Sequence, residues 1–175
     1  MQKFKILFLK VVYHIVTPVL FRVSMRKCTV FQTSLLQKLG VNFIGSPRYI
    51  SGKVWFDGGG YNLITIGNRV TISSNVRILV HDWALDTVYE GIMGVKKDKP
   101  LGKMLPITIG DNSFVGTGSI IMPGATIGKC CIIGAGSCVR GNVPDYSIVI
   151  GNPSQIIDKN TMQYLDKYLQ KHNMK

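Results

Sequence analysis

The chain of 175 residues contains three histidines. One of them, His81, lies where an imidazole could act as a base. His81 ends the run Ile78-Leu-Val-His-Asp, directly before a stretch in which a sequence repeat is interrupted. A neutral imidazole, with an unperturbed pKa near ~6.5, can accept a proton from a hydroxyl group at physiological pH. His14 in the apolar N-terminal segment and His172 in the tail are expected to be structural or solvated. We therefore interpret His81 as a candidate general base.

An imidazole base works better when the N–H of its second ring nitrogen donates to a hydrogen-bond acceptor, which fixes the orientation of the ring. Asp57, in the run Trp55-Phe-Asp, falls on the turn below His81 when the sequence repeats are stacked, two positions earlier within its turn. Asp82 adjoins His81, but neighbouring strand residues point to opposite faces. Asp57 is therefore the candidate for orienting His81, and a carboxylate that only caps a corner of the chain is the alternative.

The elements that must position these residues are indicated by a six-residue period. An aliphatic residue opens each hexad, glycine often follows it, and the fifth position is mostly small. The openers in the second half of the chain are Ile109, Val115, Ile121, Ile127, Ile133 and Val139. Neither the helical period of 3.6 nor the strand period of 2 produces this pattern, whereas a short strand followed by a tight corner does. The pattern predicts a parallel β-helix.

The repeat continues upstream in two more degenerate blocks. Ile66, Ile72 and Ile78 open one trio, and we assign an earlier trio to Ile44, Ile50 and Phe56. With three hexads to a triangular coil, the sequence predicts about four coils over residues 41–154. An inserted loop at 82–108 interrupts them, and insertions in repeat proteins commonly lie on the binding face.

The two ends of the chain differ from the repeat. Residues 1–40 are predicted to form a basic amphipathic helical segment split near Pro18, and residues 155–175 a C-terminal helix. Lys10, His14 and Pro18 interrupt the first segment, so we expect no stretch of the ~20 apolar residues that a spanning helix needs. No small-residue cleavage site precedes the basic run 22–27, which disfavours a secretory signal.

The formal net charge is +12, and no acidic side chain precedes Asp57. This asymmetry indicates an anionic partner. The basic residues do not follow the patterns of nucleic-acid-binding motifs, so we expect no nucleic acid and favour an anionic membrane surface or a phosphorylated ligand. A basic face that only solubilises the protein is the alternative.

The four cysteines indicate packing rather than metal binding or redox chemistry. Cys28, Cys130, Cys131 and Cys138 form no Cys-x-x-Cys pair and have no histidine at a zinc-ligand spacing. We interpret them as reduced packing residues in a cytoplasmic protein and expect no metal.

The repeats carry a resemblance to a known family. The runs Ile109-Gly-Asp-Asn-Ser-Phe-Val-Gly-Thr-Gly-Ser, Ile133-Gly-Ala-Gly-Ser and Gly151-Asn-Pro resemble the hexapeptide-repeat acyltransferases, and among them the maltose, galactoside and surface-polysaccharide O-acetyltransferases. The resemblance implies a left-handed β-helix, a homotrimer and acetyl-CoA as donor. It also implies a sugar or glycan hydroxyl as acceptor, within surface polysaccharide biosynthesis. In the family a catalytic histidine occupies the position of His81, and an aspartate is often found at that of Asp57.

The resemblance implies donor-binding positions in two of the hexads. The pantetheine arm of the donor would run past Gly116 and Thr117 in one hexad and Gly134 and Ala135 in another. The basic residues that contact the phosphates of CoA in the family match this sequence less well. Arg140 stands one position before the place of the family's lysine. Lys159 is the candidate substitute for the basic residue that follows Gly-x-Pro in the family.

On the acceptor side, the candidate substrate contacts in the insertion are Asp82, Trp83 and Tyr89. The aromatic rings could stack on a sugar or could instead hold the loop in place. Two other functions stay open, a non-catalytic β-helix scaffold and a metal-dependent relative of carbonic-anhydrase type. We expect the protein in the cytoplasm, with peripheral contact at the inner face of an anionic membrane as an open possibility.

Overall fold

The computed structural model of the chain describes residues 2–174, without the side chains of residues 2, 3 and 5. Met1 and Lys175, the outer bounds of the two predicted end segments, lie outside the described residues. The helices are α1 (Gln2–Val23), α2 (Met25–Leu39), α3 (Ala84–Met93) and α4 (Thr161–Lys171). A short 3-10 turn covers Tyr61–Leu63.

Short strands make up the body of the molecule. In chain order they are β1 (Asn42–Phe43), β2 (Tyr49–Ile50), β3 (Trp55–Phe56), β4 (Ile64–Ile66), β5 (Thr71–Ile72), β6 (Arg77–Ile78), β7 (His81–Asp82), β8 (Lys103–Met104), β9 (Ile107–Ile109), β10 (Phe114–Val115), β11 (Ile120–Ile121), β12 (Thr126–Ile127), β13 (Ile132–Ile133), β14 (Cys138–Val139), β15 (Asn142–Val143), β16 (Ile148–Ile150) and β17 (Gln155–Asp158).

Most of these strands form three parallel sheets, which confirms the predicted parallel β-helix. The first sheet has the order β1-β4-β9-β12-β15, the second contains β2-β5-β10-β13-β16, and the third β3-β6-β11-β14. The chain visits the three sheets in the same order on each turn, so each hexad lies above the one three hexads earlier. Val115, for example, pairs with Ile72 below and Ile133 above.

The aliphatic hexad openers fill the interior. Ile72, Val115, Ile121 and Ile133 are fully buried, and each stacks on an equivalent side chain in the next turn. Successive turns approach so closely that a Cβ on Gly116 would lie 2.5 Å from the backbone nitrogen of Ala135. Glycine at this corner therefore allows the turns to stack at their observed spacing.

The earliest hexad differs from its prediction. Phe43, not Ile44, pairs with Ile66 in the first sheet. Ile44 is 56% exposed, while Phe43 packs against the core. The assignment of Ile44 was wrong because the first corner, from Phe43 to Ile50, contains one residue more than a regular hexad.

The N-terminal segment breaks at Ser24 rather than at Pro18. α1 runs through Pro18, which lies on the exposed side of the helix, where water can bond the carbonyl that proline leaves without a donor. The Ser24 hydroxyl accepts a hydrogen bond from the backbone nitrogen of Lys27 and so caps α2. Within residues 2–174, α1 is also the one helix whose length and composition would suit a membrane crossing, over Ile6–Val23.

The insertion and the C-terminal segment contain more structure than the repeat predicts. β7 pairs with β8 in antiparallel fashion, so the two ends of the insertion lie side by side where it leaves the coil and returns to it. α3 lies between these two strands in the chain. The carboxylate of Asp86 accepts hydrogen bonds from the backbone nitrogens of Leu101 and Gly102, at 2.8 and 2.7 Å. At the C-terminus, β17 first adds an antiparallel strand to β16, and α4 follows.

Candidate functional site

A histidine and a carboxylate meet where two stacked strands end. β3 lies under β6 with Phe56 opposite Ile78, so the residues that follow the two strands are also stacked. Asp57 follows Phe56, and His81 is the third residue after Ile78. The His81 Nδ1 atom contacts the Asp57 Oδ2 atom. The spatial relationship inferred from stacking the hexads is therefore present in the structure.

The backbone holds the Asp57 carboxylate on both oxygens. Oδ1 accepts from the Gly59 nitrogen and Oδ2 from the Val80 nitrogen, each at 3.1 Å. The side chain of Asp57 is nearly fully buried, whereas that of His81 is 34% exposed. When Nδ1–H donates to Asp57, Nε2 carries the lone pair, so the arrangement can present a neutral imidazole as a proton acceptor.

Two aromatic residues border this pair. The Trp83 ring lies 5.8 Å from the His81 ring, with an angle of 34° between their planes. Tyr61 lies below, and burial together with the nearby negative charge of Asp57 raises the pKa of its phenol further above physiological pH. Lys10 of α1 donates to the carbonyl of Gly58, the residue next to Asp57.

The insertion covers a cleft beside this corner of the coil. The cleft has a volume of about 450 Å³ and contains the charged side chains of Asp82, Lys103 and Arg140. Its remaining lining residues are Ala84, Leu85, Leu101, Gly102, Leu105 and Pro123. Asp82 and Arg140, predicted for substrate and donor respectively, thus share one cleft. Tyr89 instead lies against Lys97, whose Nζ is 5.3 Å from the ring centroid.

Lys103 is a cleft residue that the sequence reasoning missed. It is paired with Asp82 across β7 and β8, and therefore places a second basic side chain in the cleft that contains Arg140. The available signal was its position three residues before Pro106, where the chain returns to the coil. Nothing in the hexad period specifies the pairing of β8, because both strands lie outside the repeat.

The predicted donor positions lie at different corners of one chain. Gly116 and Thr117 stack on Gly134 and Ala135 at the corner between the second and third sheets. His81 and Arg140 lie at the corner between the third and first sheets. Lys159 lies between β17 and α4. A single chain therefore does not bring the Thr117 and Ala135 positions next to His81.

Two further features of the described chain lie outside this arrangement. No group of three or more histidine, cysteine or acidic side chains in residues 2–174 is placed to hold a metal ion. A cavity of about 470 Å³ lies between α4 and the second sheet, lined mainly by aromatic and aliphatic side chains such as Phe114, Tyr146 and Leu165. It contains none of the predicted site residues.

Comparison with known proteins identifies relatives in sequence and in fold. The family described as bacterial transferase hexapeptide (six repeats) matches residues 106–141. Protein CapG of Staphylococcus aureus is 39% identical over 136 residues, which cover 77% of this chain and 74% of that protein. A Schizosaccharomyces pombe protein, named for an expected acetyltransferase activity, is 35% identical over 97 residues, or 55% of this chain. The chain spans 44% of that relative's length.

A solved structure shows the same fold. The crystal structure of a maltose O-acetyltransferase from Clostridium difficile 630 superposes with a TM-score of 0.55. The superposition covers 85% of this chain and 84% of that one, at 24% sequence identity. At this identity the likeness concerns the fold, while the sequence relatives and the repeat match carry the family assignment.

Proposed function

Because the chain belongs to the hexapeptide-repeat acyltransferase family, we propose that it is an acetyltransferase that moves the acetyl group of acetyl-CoA to a hydroxyl of a sugar. The observation that carries the proposal is the contact of His81 with Asp57 at the mouth of the insertion. The pair gives this family member a positioned base. A non-catalytic scaffold would not need such a base, so the pair favours an enzyme. The predicted roles of both residues are part of the proposal.

In the proposed reaction, Nε2 of His81 takes the proton of the sugar hydroxyl. The oxygen of this hydroxyl attacks the thioester carbonyl carbon of acetyl-CoA at the same time. The resulting tetrahedral intermediate collapses, the carbon–sulfur bond breaks, and the imidazolium returns the proton to the sulfur of CoA. The ester and free CoA leave as products. Asp57 holds the imidazole in the required tautomer and stabilises its positive charge during the reaction.

The donor would contact the cleft of one copy and the glycine-rich corner of a neighbouring copy. Arg140 and Lys103 supply positive charge for the phosphates of CoA, since both are basic and line the same cleft. Gly116, Thr117, Gly134 and Ala135 offer a corner with little side chain, along which a pantetheine arm could lie. Lys159 stays a candidate for a further phosphate contact.

We include a homotrimer of left-handed β-helices in the proposal. Thr117 and Ala135 lie at one corner of the chain and His81 at the next, so a neighbouring copy could complete the donor groove beside His81. A trimer that presents the donor corner of each subunit to the base of the next would contain three such sites. Sedimentation of the purified protein tests this arrangement, and a monomer with full activity would contradict it.

The acceptor is proposed to be a sugar within a surface glycan, with Asp82 and Trp83 at the acceptor side. Trp83 is 42% exposed next to His81 and can stack on a sugar ring. Tyr89 is the weaker candidate because its ring lies against Lys97. The test is release of free CoA thiol from acetyl-CoA in the presence of sugars, nucleotide sugars and lipid-linked glycans. Acceptor-dependent release that is unchanged by His81→Ala would overturn the proposed chemistry.

A further inference from the structure

The first helix carries an uncovered apolar stripe along its outward face. Five side chains of α1, spaced to lie on one side of a helix, are between 46% and 76% exposed: Phe4, Phe8, Val11, Ile15 and Val19. On the opposite side, Tyr13 and Thr17 are almost completely buried. The helix thus has two apolar sides, of which the protein covers one.

Hydrogen bonds fix the orientation of this helix on the coil. The Tyr13 hydroxyl donates to the carbonyl of Val54 at 3.2 Å, and the Lys10 ammonium donates to the carbonyl of Gly58 at 2.8 Å. The Cys28 thiol of α2 donates to the carbonyl of Thr17. The stripe consequently points away from the β-helix, and rotating α1 to bury it would break these bonds.

The charge around the stripe is uniformly positive. The sequence contains no acidic residue before Asp57, while α1 and α2 together contain seven basic residues. Arg22, Arg26 and Lys27 are exposed where α1 ends and α2 begins. Long basic side chains at such a position can extend to lipid headgroups while their stems lie on apolar surface.

We propose that this stripe docks on an anionic lipid bilayer, with α1 lying in the plane of the membrane surface. An exposed apolar face flanked by basic residues is the pattern of an interfacial helix. A second copy of the segment fits less well, because it would bring two positively charged surfaces together without a counter-charge. A spanning α1 conflicts with the bonds from Lys10 and Tyr13, which attach the middle of the helix to the coil.

Docking in this way would place the candidate site next to the membrane. Lys10 bonds Gly58, Gly58 follows Asp57, and Asp57 contacts His81, so the helix and the base are connected through adjacent residues. This arrangement favours an acceptor sugar attached to a membrane lipid, a conclusion that rests on the proposed function. The docking itself does not depend on the catalytic proposal.

Flotation of the full chain with lipid vesicles tests the docking. We expect binding to vesicles of phosphatidylglycerol mixed with phosphatidylcholine, little binding to phosphatidylcholine alone, and a steep loss with salt, because exposed charges are screened within about 10 Å at moderate ionic strength. The double variant Phe8→Ser and Ile15→Ser should weaken binding by about tenfold or more, since it removes two inserted side chains without changing the charge.

Matched substitutions control for both contributions. Val88→Ser with Ile92→Ser removes two apolar side chains of α3 that are also more than half exposed, and should leave flotation unchanged. Arg26→Gln with Lys27→Gln should reduce binding at low salt and flatten its salt dependence, whereas Lys167→Gln with Lys171→Gln on α4 should do neither. Circular dichroism and sedimentation confirm that each variant is folded and assembled as the parent is.

Three outcomes would overturn the proposal. Absence of flotation with anionic vesicles at low salt would leave the stripe without a membrane role. Flotation that resists both high salt and alkaline extraction would indicate a spanning helix. An oligomer that dissociates in the Phe8→Ser and Ile15→Ser variant, without any vesicle binding by the parent, would assign the stripe to a second copy. CoA release with a soluble acceptor, measured in parallel, reports on the proposed function separately.

Discussion

The Asp57 carboxylate is bonded to the backbone of the next turn at Val80 and contacts the imidazole of His81, one residue further along that turn. The same oxygen serves both partners, and the other oxygen accepts from Gly59. The position of the carboxylate is thus determined by backbone groups that the coil itself holds in place. An imidazole attached to such a carboxylate is preorganised, because the stacking of two turns sets its orientation before any ligand binds.

Replacement of His81 should remove most of the turnover. For His81→Ala we expect kcat to fall by about two to four orders of magnitude, the usual contribution of a positioned base, with little change in acetyl-CoA affinity. Steady-state kinetics of CoA release measures both values. His172→Ala, which removes an exposed imidazole from the tail, should retain parental kinetics. A loss below about tenfold in His81→Ala would remove this residue from the base role.

Replacement of Asp57 should impair catalysis through His81. In Asp57→Asn one acceptor oxygen becomes an N–H₂ donor, so either the bond from Gly59 or the bonds from Val80 and the imidazole are lost. The negative charge that stabilises the imidazolium is lost as well. We expect kcat to fall by about tenfold or more, with the KM for acetyl-CoA nearly unchanged. Asp111→Asn is the matched control, because Asp111 also accepts from the backbone of another turn, at Asn68, away from the site. Equal kinetic losses in both variants would indicate a purely structural carboxylate.

The stacking of the turns should be sensitive to a single methyl group. Gly116→Ala places a Cβ 2.5 Å from the Ala135 nitrogen, where a backbone atom cannot move without separating the turns. We expect a loss of unfolding free energy of about 2 kcal/mol or more, measured by denaturant titration. Gly91→Ala in α3 meets no atom within 4 Å and should be neutral or stabilising by up to about 1 kcal/mol. Equal midpoints for the two variants would contradict the packing argument.

The insertion should loosen when the carboxylate of Asp86 is removed. Asp86→Ala leaves the nitrogens of Leu101 and Gly102 without their acceptor, so we expect faster hydrogen exchange across residues 84–104 and unchanged exchange in the coil strands. Mass spectrometry of proteolytic fragments resolves the two regions. Asp98→Ala, in the same insertion, is the control and should leave the exchange pattern as it is. Uniformly faster exchange would show that the carboxylate supports the whole fold.

The basic side chains of the cleft should contribute to donor binding. Arg140→Gln with Lys103→Gln removes two positive charges that line one cleft, so the KM for acetyl-CoA should rise about tenfold or more while kcat changes less. Lys171→Gln on α4 is the control for charge alone and should leave the KM unchanged. An unaltered KM in the double variant would place the phosphates elsewhere, with Lys159 as the next residue to test.

The sequence by itself determined the stacked architecture and the relative position of two key residues. Its six-residue period places Ile72, Val115 and Ile133 in one column, because every turn repeats the same local strand and corner and contacts only its neighbours. Counting hexads from Phe56 to Ile78 also places Asp57 below His81. Such inferences succeed where local geometry repeats, since position in the chain then maps directly onto position in space.

Only the tertiary structure decided what happens where the period ends. The extra residue after Phe43, the continuation of α1 through Pro18 and the pairing of Lys103 with Asp82 depend on contacts between segments that share no repeat. Asp86 closes the insertion through backbone groups of Leu101 and Gly102, and α1 turns one apolar side outward because Lys10 and Tyr13 bond the coil. The energies of such long-range contacts override local propensity, so the composition of these segments does not specify them.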